Sequence, residues 1–134
     1  MSINEVVMVS ACRTAIGDYG GSLAGIKANE LTKIVATEAI KRAGITPDMV
    51  DELVGGMCLH AGNGSLPPRI VAMQIGMAHR SSASMVSQNC ASGMRALDIA
   101  AMKLMLGQTE IALVTGTESM SNIPYILPAM RFGA

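Results

Sequence analysis

The sequence predicts an α/β domain built on a mainly parallel sheet, and three observations carry that reading. Short apolar runs suited to strands recur at 5–12, 52–59, 84–88 and 110–117. Segments with helical spacing of apolar residues, 29–43, 69–77 and 90–106, lie between them. Glycines gather at 16–25, 55–64 and 107–116, where such a chain has to turn. Strands alternating with helices give the order βαβαβαβ, and each helical crossover returns the chain to add a parallel neighbour.

Each element has a local reason. Residues 5–12 form a nearly unbroken apolar run, as expected of a strand covered on both faces. A glycine-rich loop follows to residue 25. In 29–43, Leu31, Ile34, Val35, Ala39 and Ile40 recur at helical spacing, with Asn29 as N-cap, Lys41 and Arg42 matching the C-terminal dipole, and Gly44 as the stop. Thr46-Pro47-Asp48 opens a turn into the strand 52–59. A Gly/Pro loop leads to the short helix 69–77 and the strand 84–88. The helix 90–106 confines Arg95, Asp98 and Lys103 to a narrow stripe, which predicts a largely buried helix ended by Gly107. The strand 110–117 follows, and residues 119–134 run on through Pro124 and Pro128.

Composition narrows the function. Half of the 134 residues are apolar and only 15% are charged, enough for one buried core. Ten basic and ten acidic residues give a net charge of zero, so nothing points to nucleic acid or an anionic membrane as a partner. No apolar stretch of the roughly 18 uncharged residues that suggest a bilayer span stands out. The N-terminus also lacks a signal peptide's charged-then-apolar layout, so a cytoplasmic protein is expected. Cys12, Cys58 and Cys90 are an odd set without disulfide spacing, which suits a reducing compartment, and without the paired spacing of a zinc site. No metal is expected.

Cys90 is the candidate catalytic residue. It stands where a strand gives way to a helix, in Val86-Ser87-Gln88-Asn89-Cys90-Ala91-Ser92-Gly93-Met94. Free backbone N–H groups and the positive end of the helix dipole favour a thiolate there. The same N–H groups can receive the oxyanion formed when a thioester carbonyl is attacked. Ala91 and Gly93 keep the first turn small. A buried free cysteine is also an ordinary small hydrophobe, and Cys12 and Cys58 at strand ends are read that way. His60 is read as a loop histidine and Arg13 as a loop-securing cation. Glu118 is assigned a structural part at a strand end. Gly20-Gly21 lacks the spacing of a phosphate-binding loop. Met94, Met102, Met105 and Met120 are read as core filler.

Four segments in order, Val9-Ser10-Ala11-Cys12-Arg13-Thr14-Ala15-Ile16-Gly17, Gly20-Gly21-Ser22-Leu23, Gln88-Asn89-Cys90-Ala91-Ser92-Gly93-Met94 and Glu118-Ser119-Met120-Ser121-Asn122, resemble the thiolase family. The likeness runs colinearly over nearly the whole chain. It implies a layered thiolase-like fold, with residues 1–118 as the nucleophile-bearing N-terminal core and 119–134 as the start of an inserted loop domain. It implies a ping-pong acyl-CoA C-acyltransferase in which Cys90 is acylated, with coenzyme A and acyl-CoA as substrates and no permanently bound cofactor. The Cys90 amide is the implied oxyanion donor. Relatives form dimers or dimers of dimers, with the strand 84–88 and the nucleophile loop near the two-fold axis.

The family's Gly-His-Pro, Cys-x-Gly and Asn-Glu-Ala-Phe motifs do not occur here. The resemblance therefore implies a companion polypeptide supplying the base and the second cysteine, and a chain inactive by itself. A non-catalytic thiolase-like assembly subunit and a truncated inactive fragment are the alternatives. Ketoacyl synthases share the fold and a nucleophilic cysteine, but the Asn89-Cys90 and Glu118-Ser119 motifs favour thiolase.

Overall fold

The computed structural model describes residues 3–133. Its sheet has three parallel strands, β1 (Glu52–Gly56), β2 (Ser82–Val86) and β3 (Ala112–Gly116), in the order β2-β1-β3. The register pairs Glu52 with Ser82 and with Ala112, so all three strands end level at Gly56, Val86 and Gly116. Central β1 is buried along its whole length. Helices α1 (Ala28–Ala43) and α2 (Pro67–Gln74) cover one face and α3 (Ser92–Met105) the other, giving three layers.

The pleat explains this division. Leu53 and Leu113 point to one side, where they meet Ala36, Ile40, Val50, Val71, Ala72 and Met77. Val54 points to the other side and packs on Ala96 and Ala100. Both long helices approach through small residues spaced four apart: Ala28, Thr32 and Ala36 on α1, Ser92, Ala96 and Ala100 on α3. Small side chains on one stripe let a helix lie close to a sheet.

Several expected elements shift. The helix expected at 29–43 starts one residue earlier, and its N-cap is Lys27, not Asn29. Asn29 lies inside the first turn and instead donates through Nδ2 to the Asn63 carbonyl at 2.8 Å. Gly44 does end α1, with φ of 70° and its N–H returned to the last turn. The helix expected at 69–77 is Pro67–Gln74, entered by two prolines whose missing N–H groups cost nothing in a first turn. Leu97, Met102 and Met105 on α3 are exposed, so that helix is buried on one side and not nearly all round. Met94 and Met120 are exposed with them, against the expectation of core filler.

The strand expected at 5–12 does not form. Val7, Met8 and Val9 are about 70% exposed, at 70%, 68% and 71%. Residues 3–12 are held by other means: the Asn4 N–H donates to the Met105 carbonyl at 3.0 Å, the Ser10 hydroxyl to the Ala39 carbonyl at 2.7 Å, and the Cys12 thiol to the Val35 carbonyl at 3.2 Å. Apolar patterning predicts a strand only where a neighbouring strand supplies the ladder, and none lies beside this segment among the described residues.

Carboxylates fasten the layers. Buried Glu52 pairs with Lys103 of α3 and accepts the Ser84 hydroxyl of β2 at 3.2 Å, tying three elements at one point. Asp51, just ahead of β1, accepts the N–H groups of Glu110 and Ile111 at 3.0 and 3.1 Å and the Thr109 hydroxyl at 3.4 Å. The amides of Ile111 and then Glu110 hold the Asp51 carboxyl below the usual carboxylate range. A lowered folded-state pKa stabilises the fold above the unfolded value near 4, and that stabilisation is lost as pH falls through the folded value. Asp51→Ala is expected to cost about 1–3 kcal/mol at neutral pH by orphaning these donors. It is also expected to flatten the acid limb below about pH 4, as read by urea unfolding across the acid range.

Candidate active site

The level strand ends gather three loops at one edge of the sheet, the usual place for a site in a parallel α/β layer. Residues 57–59 leave β1, 87–91 leave β2, and 117–119 leave β3. Cys90 is exposed in the second loop. The helix expected to open at Cys90 opens at Ser92, with Ala91 at its N-cap, so the thiol sits in the turn just before the helix.

Two features fix that turn. Asn89 has φ of +51°, a left-handed conformation that asparagine tolerates better than most side chains. Buried Ser92 works in both directions: its hydroxyl accepts the Gln88 N–H at 2.8 Å and donates to the Asn89 carbonyl at 2.6 Å. The Ala91 and Ser92 amides close on the Gln88 and Asn89 carbonyls, both at 3.1 Å. Gln88 and Cys90 also form an isolated parallel bridge across the turn. A thiol held just before a helix N-terminus can attack a carbonyl, and a free N–H of that turn can receive the resulting oxyanion.

Three glycines bring the helix to this position. A Cβ on Gly56 would fall 2.4 Å from the Ser92 carbonyl carbon and oxygen and 2.5 Å from the Gly93 nitrogen. A Cβ on Gly116 would fall 3.2 Å from the Gly93 Cα. The first turn of α3 therefore rests on β1 and β3 backbone to backbone.

Glu118 is more than a strand-end residue. Its Oε2 accepts the Cys58 N–H and its Oε1 the Leu59 N–H, both at 2.9 Å, which joins the β3 exit to the β1 exit. The half-buried Cys58 thiol lies 3.7 Å from the Asn89 Oδ1. Cys58 is thus part of the site's rim and not the core residue the sequence suggested. The rest of the Glu118-Ser119-Met120-Ser121-Asn122 segment clasps the first glycine-rich loop. Ser119 donates to the Ile26 carbonyl at 2.9 Å, Asn122 Nδ2 to the Ala24 carbonyl at 2.8 Å, and the Gly20 N–H donates to Ser121 Oγ at 2.9 Å. An open cavity of about 440 Å³ lies along this clasp, between Ile16, Tyr19 and Leu31 on one wall and Gly116, Glu118 and Met120 on the other.

Other candidates stand apart. His60 is exposed, and its carbonyl accepts the Asn63 N–H. Neither His60 nor His79 hydrogen-bonds Cys90. Arg13 is exposed and donates only to the neighbouring Thr14 carbonyl at 3.0 Å. Half-buried Cys12 serves the attachment of residues 3–12 described above. Sequence reasoning missed Ser92 and Gly56. Serine at the start of a helix is a recognisable signal for the first. The second depends on a contact between distant elements.

The family model described as the N-terminal domain of thiolase matches residues 6–134. The chain belongs to the thiolase family. It is 42% identical over 131 residues to an acetyl-CoA acetyltransferase of Cupriavidus necator, covering 98% of this chain and 33% of that protein. The solved acetyl-CoA acetyltransferase of Syntrophomonas wolfei superposes with a TM-score of 0.96 at 60% identity, covering 98% of this chain and 33% of that one. An Ascaris suum thiolase solved in complex with coenzyme A gives a TM-score of 0.88 at 30% identity, covering 90% and 32%. The thiolase chain described here therefore spans about a third of the length of these relatives. The layered α/β fold expected from the sequence is the thiolase fold of these structures, with its first strand unformed.

Gly56→Ala is expected to destabilise this thiolase domain by about 1–3 kcal/mol or more, because backbone must shift to admit the methyl. Gly25→Ala, where a Cβ meets open space at ordinary φ, should stay within about 0.5 kcal/mol. Thermal unfolding of the two variants checks the pair.

Proposed function

We propose that this chain is the nucleophile-bearing third of an acyl-CoA C-acyltransferase, with acetyl-CoA acetyltransferase as the default activity. The observation that carries the proposal is the Cys90 turn: an exposed thiol fixed by Ser92 and Asn89 at the common end of three strands. The Cys90 sulfur attacks the thioester carbonyl of an acyl-CoA, and the tetrahedral oxyanion is received by the Cys90 N–H. Collapse releases coenzyme A and leaves the acyl group on Cys90. The carbanion of acetyl-CoA, formed when the second acid/base cysteine takes its C2 proton, then attacks the acyl carbonyl, and the acyl–sulfur bond breaks to free the Cys90 thiolate and give a 3-oxoacyl-CoA. In reverse, coenzyme A cleaves a 3-oxoacyl-CoA. Coenzyme A and its esters are substrates in this scheme, not resident cofactors.

The base for Cys90 and the second acid/base cysteine belong to the family's Gly-His-Pro and Cys-x-Gly motifs. We assign both to the sequence that makes up the remaining two-thirds of the relatives' length, so these 134 residues carry the nucleophile and not its base. Neither histidine here contacts Cys90, in keeping with that assignment. Residues 119–134 lead toward the loop domain that the family inserts at this point. Assembly into dimers or dimers of dimers fits the position of β2 at an open edge of the sheet. A cytoplasmic setting is proposed; among relatives, a Gibberella zeae acetyl-CoA acetyltransferase is named as cytosolic and a Xenopus tropicalis one as mitochondrial. Among the described residues, no helix is long and apolar enough to cross a membrane.

Iodoacetamide labelling followed by peptide mapping tests the nucleophile. Cys90 should react at least about tenfold faster than half-buried Cys12 and Cys58, and acetyl-CoA should slow it. Slow labelling of Cys90 that acetyl-CoA does not touch would favour the non-catalytic assembly subunit. In the completed enzyme, Cys90→Ser should lower turnover by about a thousandfold or more while assembly persists. Retained turnover would remove Cys90 from the reaction.

A further inference from the structure

The first turn of α1 carries a polar atom that the fold buries without a partner. Asn29 donates through Nδ2 to the Asn63 carbonyl at 2.8 Å, and its Oδ1 is buried and accepts no hydrogen bond among the described residues. Turning the amide over gives no relief, because Oδ1 would then face the Asn63 carbonyl, another acceptor. A buried carbonyl oxygen with no donor is costly enough that native folds rarely leave one.

Asn29 borders a small internal cavity between α1, α2 and the ends of β1 and β3. The cavity gives the centre of a water molecule about 10 Å³ of room, which suits one water and is too small for two or for an organic ligand. Its polar lining is Asn29 and buried Thr32 on α1 with buried Thr115 and half-buried Thr117 at the β3 end, while Pro68 and Val71 of α2 give an apolar wall. The Thr115 hydroxyl lies on this side of the sheet: a Cβ on Gly55 would fall 3.3 Å from Thr115 Oγ1 and 2.4 Å from Pro68 Cγ.

The lining selects its occupant. Thr32 spends its hydroxyl hydrogen on the Ala28 carbonyl at 2.8 Å, so its oxygen offers only lone pairs to the cavity. Asn29 Oδ1 is an acceptor too. An occupant must therefore donate twice, and the Thr115 hydroxyl can donate back to it. A cation would find no carboxylate in the lining to balance its charge.

We infer that one resident water fills this cavity, donating to Asn29 Oδ1 and Thr32 Oγ1 and accepting from Thr115 Oγ1. Asn29 then serves two connections at once: Nδ2 holds the loop between β1 and α2, and Oδ1 holds the strand ends through the water. Those ends lead directly to Cys58 and Glu118. The water secures from the α1 side the same strand ends that Gly56 and Gly116 bring against α3 from the other.

A crystal structure of the full 134-residue chain, at about 1.8 Å or better, tests the site directly. The expected result is one density peak about 2.6–3.2 Å from Asn29 Oδ1 and from at least one of the two threonine hydroxyls. An empty cavity, a peak that refines as a metal ion, or an Asn29 Oδ1 that accepts from a protein donor overturns the inference. In solution, magnetic relaxation dispersion of water counts the molecules that a protein holds for nanoseconds or longer. Thr115→Ile, which extends an ethyl group into the cavity in place of the hydroxyl, should lower that count by one. An unchanged count overturns the inference. The Met57 and Thr117 amides, which donate to the Val86 and Gly56 carbonyls, both at 3.1 Å, should exchange at least about tenfold faster in this variant. Unchanged exchange overturns the water's hold on the strand ends. The unaltered chain's crystal structure decides the site even where Thr115→Ile does not fold.

Discussion

The contact on which the rest of this structure depends is the one between the first turn of α3 and the ends of β1 and β3. Gly56, Gly93 and Gly116 remove every side chain from that junction, and the Ser92 carbonyl sits where a Cβ of residue 56 would be. A helix held this close cannot rise or slide without breaking backbone contacts. The turn before it is therefore short and tight, and the left-handed Asn89 and the doubly bonded Ser92 complete it. The position of Cys90 follows from this packing.

Carboxylates reinforce the same pair of strands at opposite ends. Asp51, which precedes β1, holds two amides at the entry of β3. Glu118, which follows β3, holds two amides at the exit of β1. Each strand thus carries the clamp for its neighbour, and the register between them is fixed from both ends. Glu52 adds the third dimension by drawing Lys103, and with it α3, onto the buried middle of the sheet. A buried carboxylate paired this way adds little net stability over an apolar packing. Breaking the pair is costly, so its effect is to penalise alternative placements of α3.

The layer order and the exposed thiol turn at Cys90 were legible in the residues because both rest on local patterns. Apolar spacing marks three of the four strands and all three helices to within a few residues, and the strand-to-helix turn marks Cys90. What the residues did not disclose depends on partners distant in sequence. Gly56 looks like one glycine among 14 until Ser92 is placed against it. Cys58 reads as a core residue until Asn89 and Glu118 are brought beside it. Val7, Met8 and Val9 have the pattern of a buried strand, and the pattern is sound, but a ladder needs a neighbour.

That last case bears on the site as well as on the fold. Residues 6–12 and the edge of β3 face one another across an apolar gap, and the outer side of α3 carries exposed Leu97, Met102 and Met105. Apolar surface arranged in this way favours association over solvation. The Cys90 loop lies at the N-terminal end of that same helix, and neither histidine among the described residues hydrogen-bonds its thiol. The uncovered face of α3 and the exposed thiol therefore sit on one element. Under the function proposed above, protein that covers α3 and approaches its N-terminus would meet the packing need and the chemical need together.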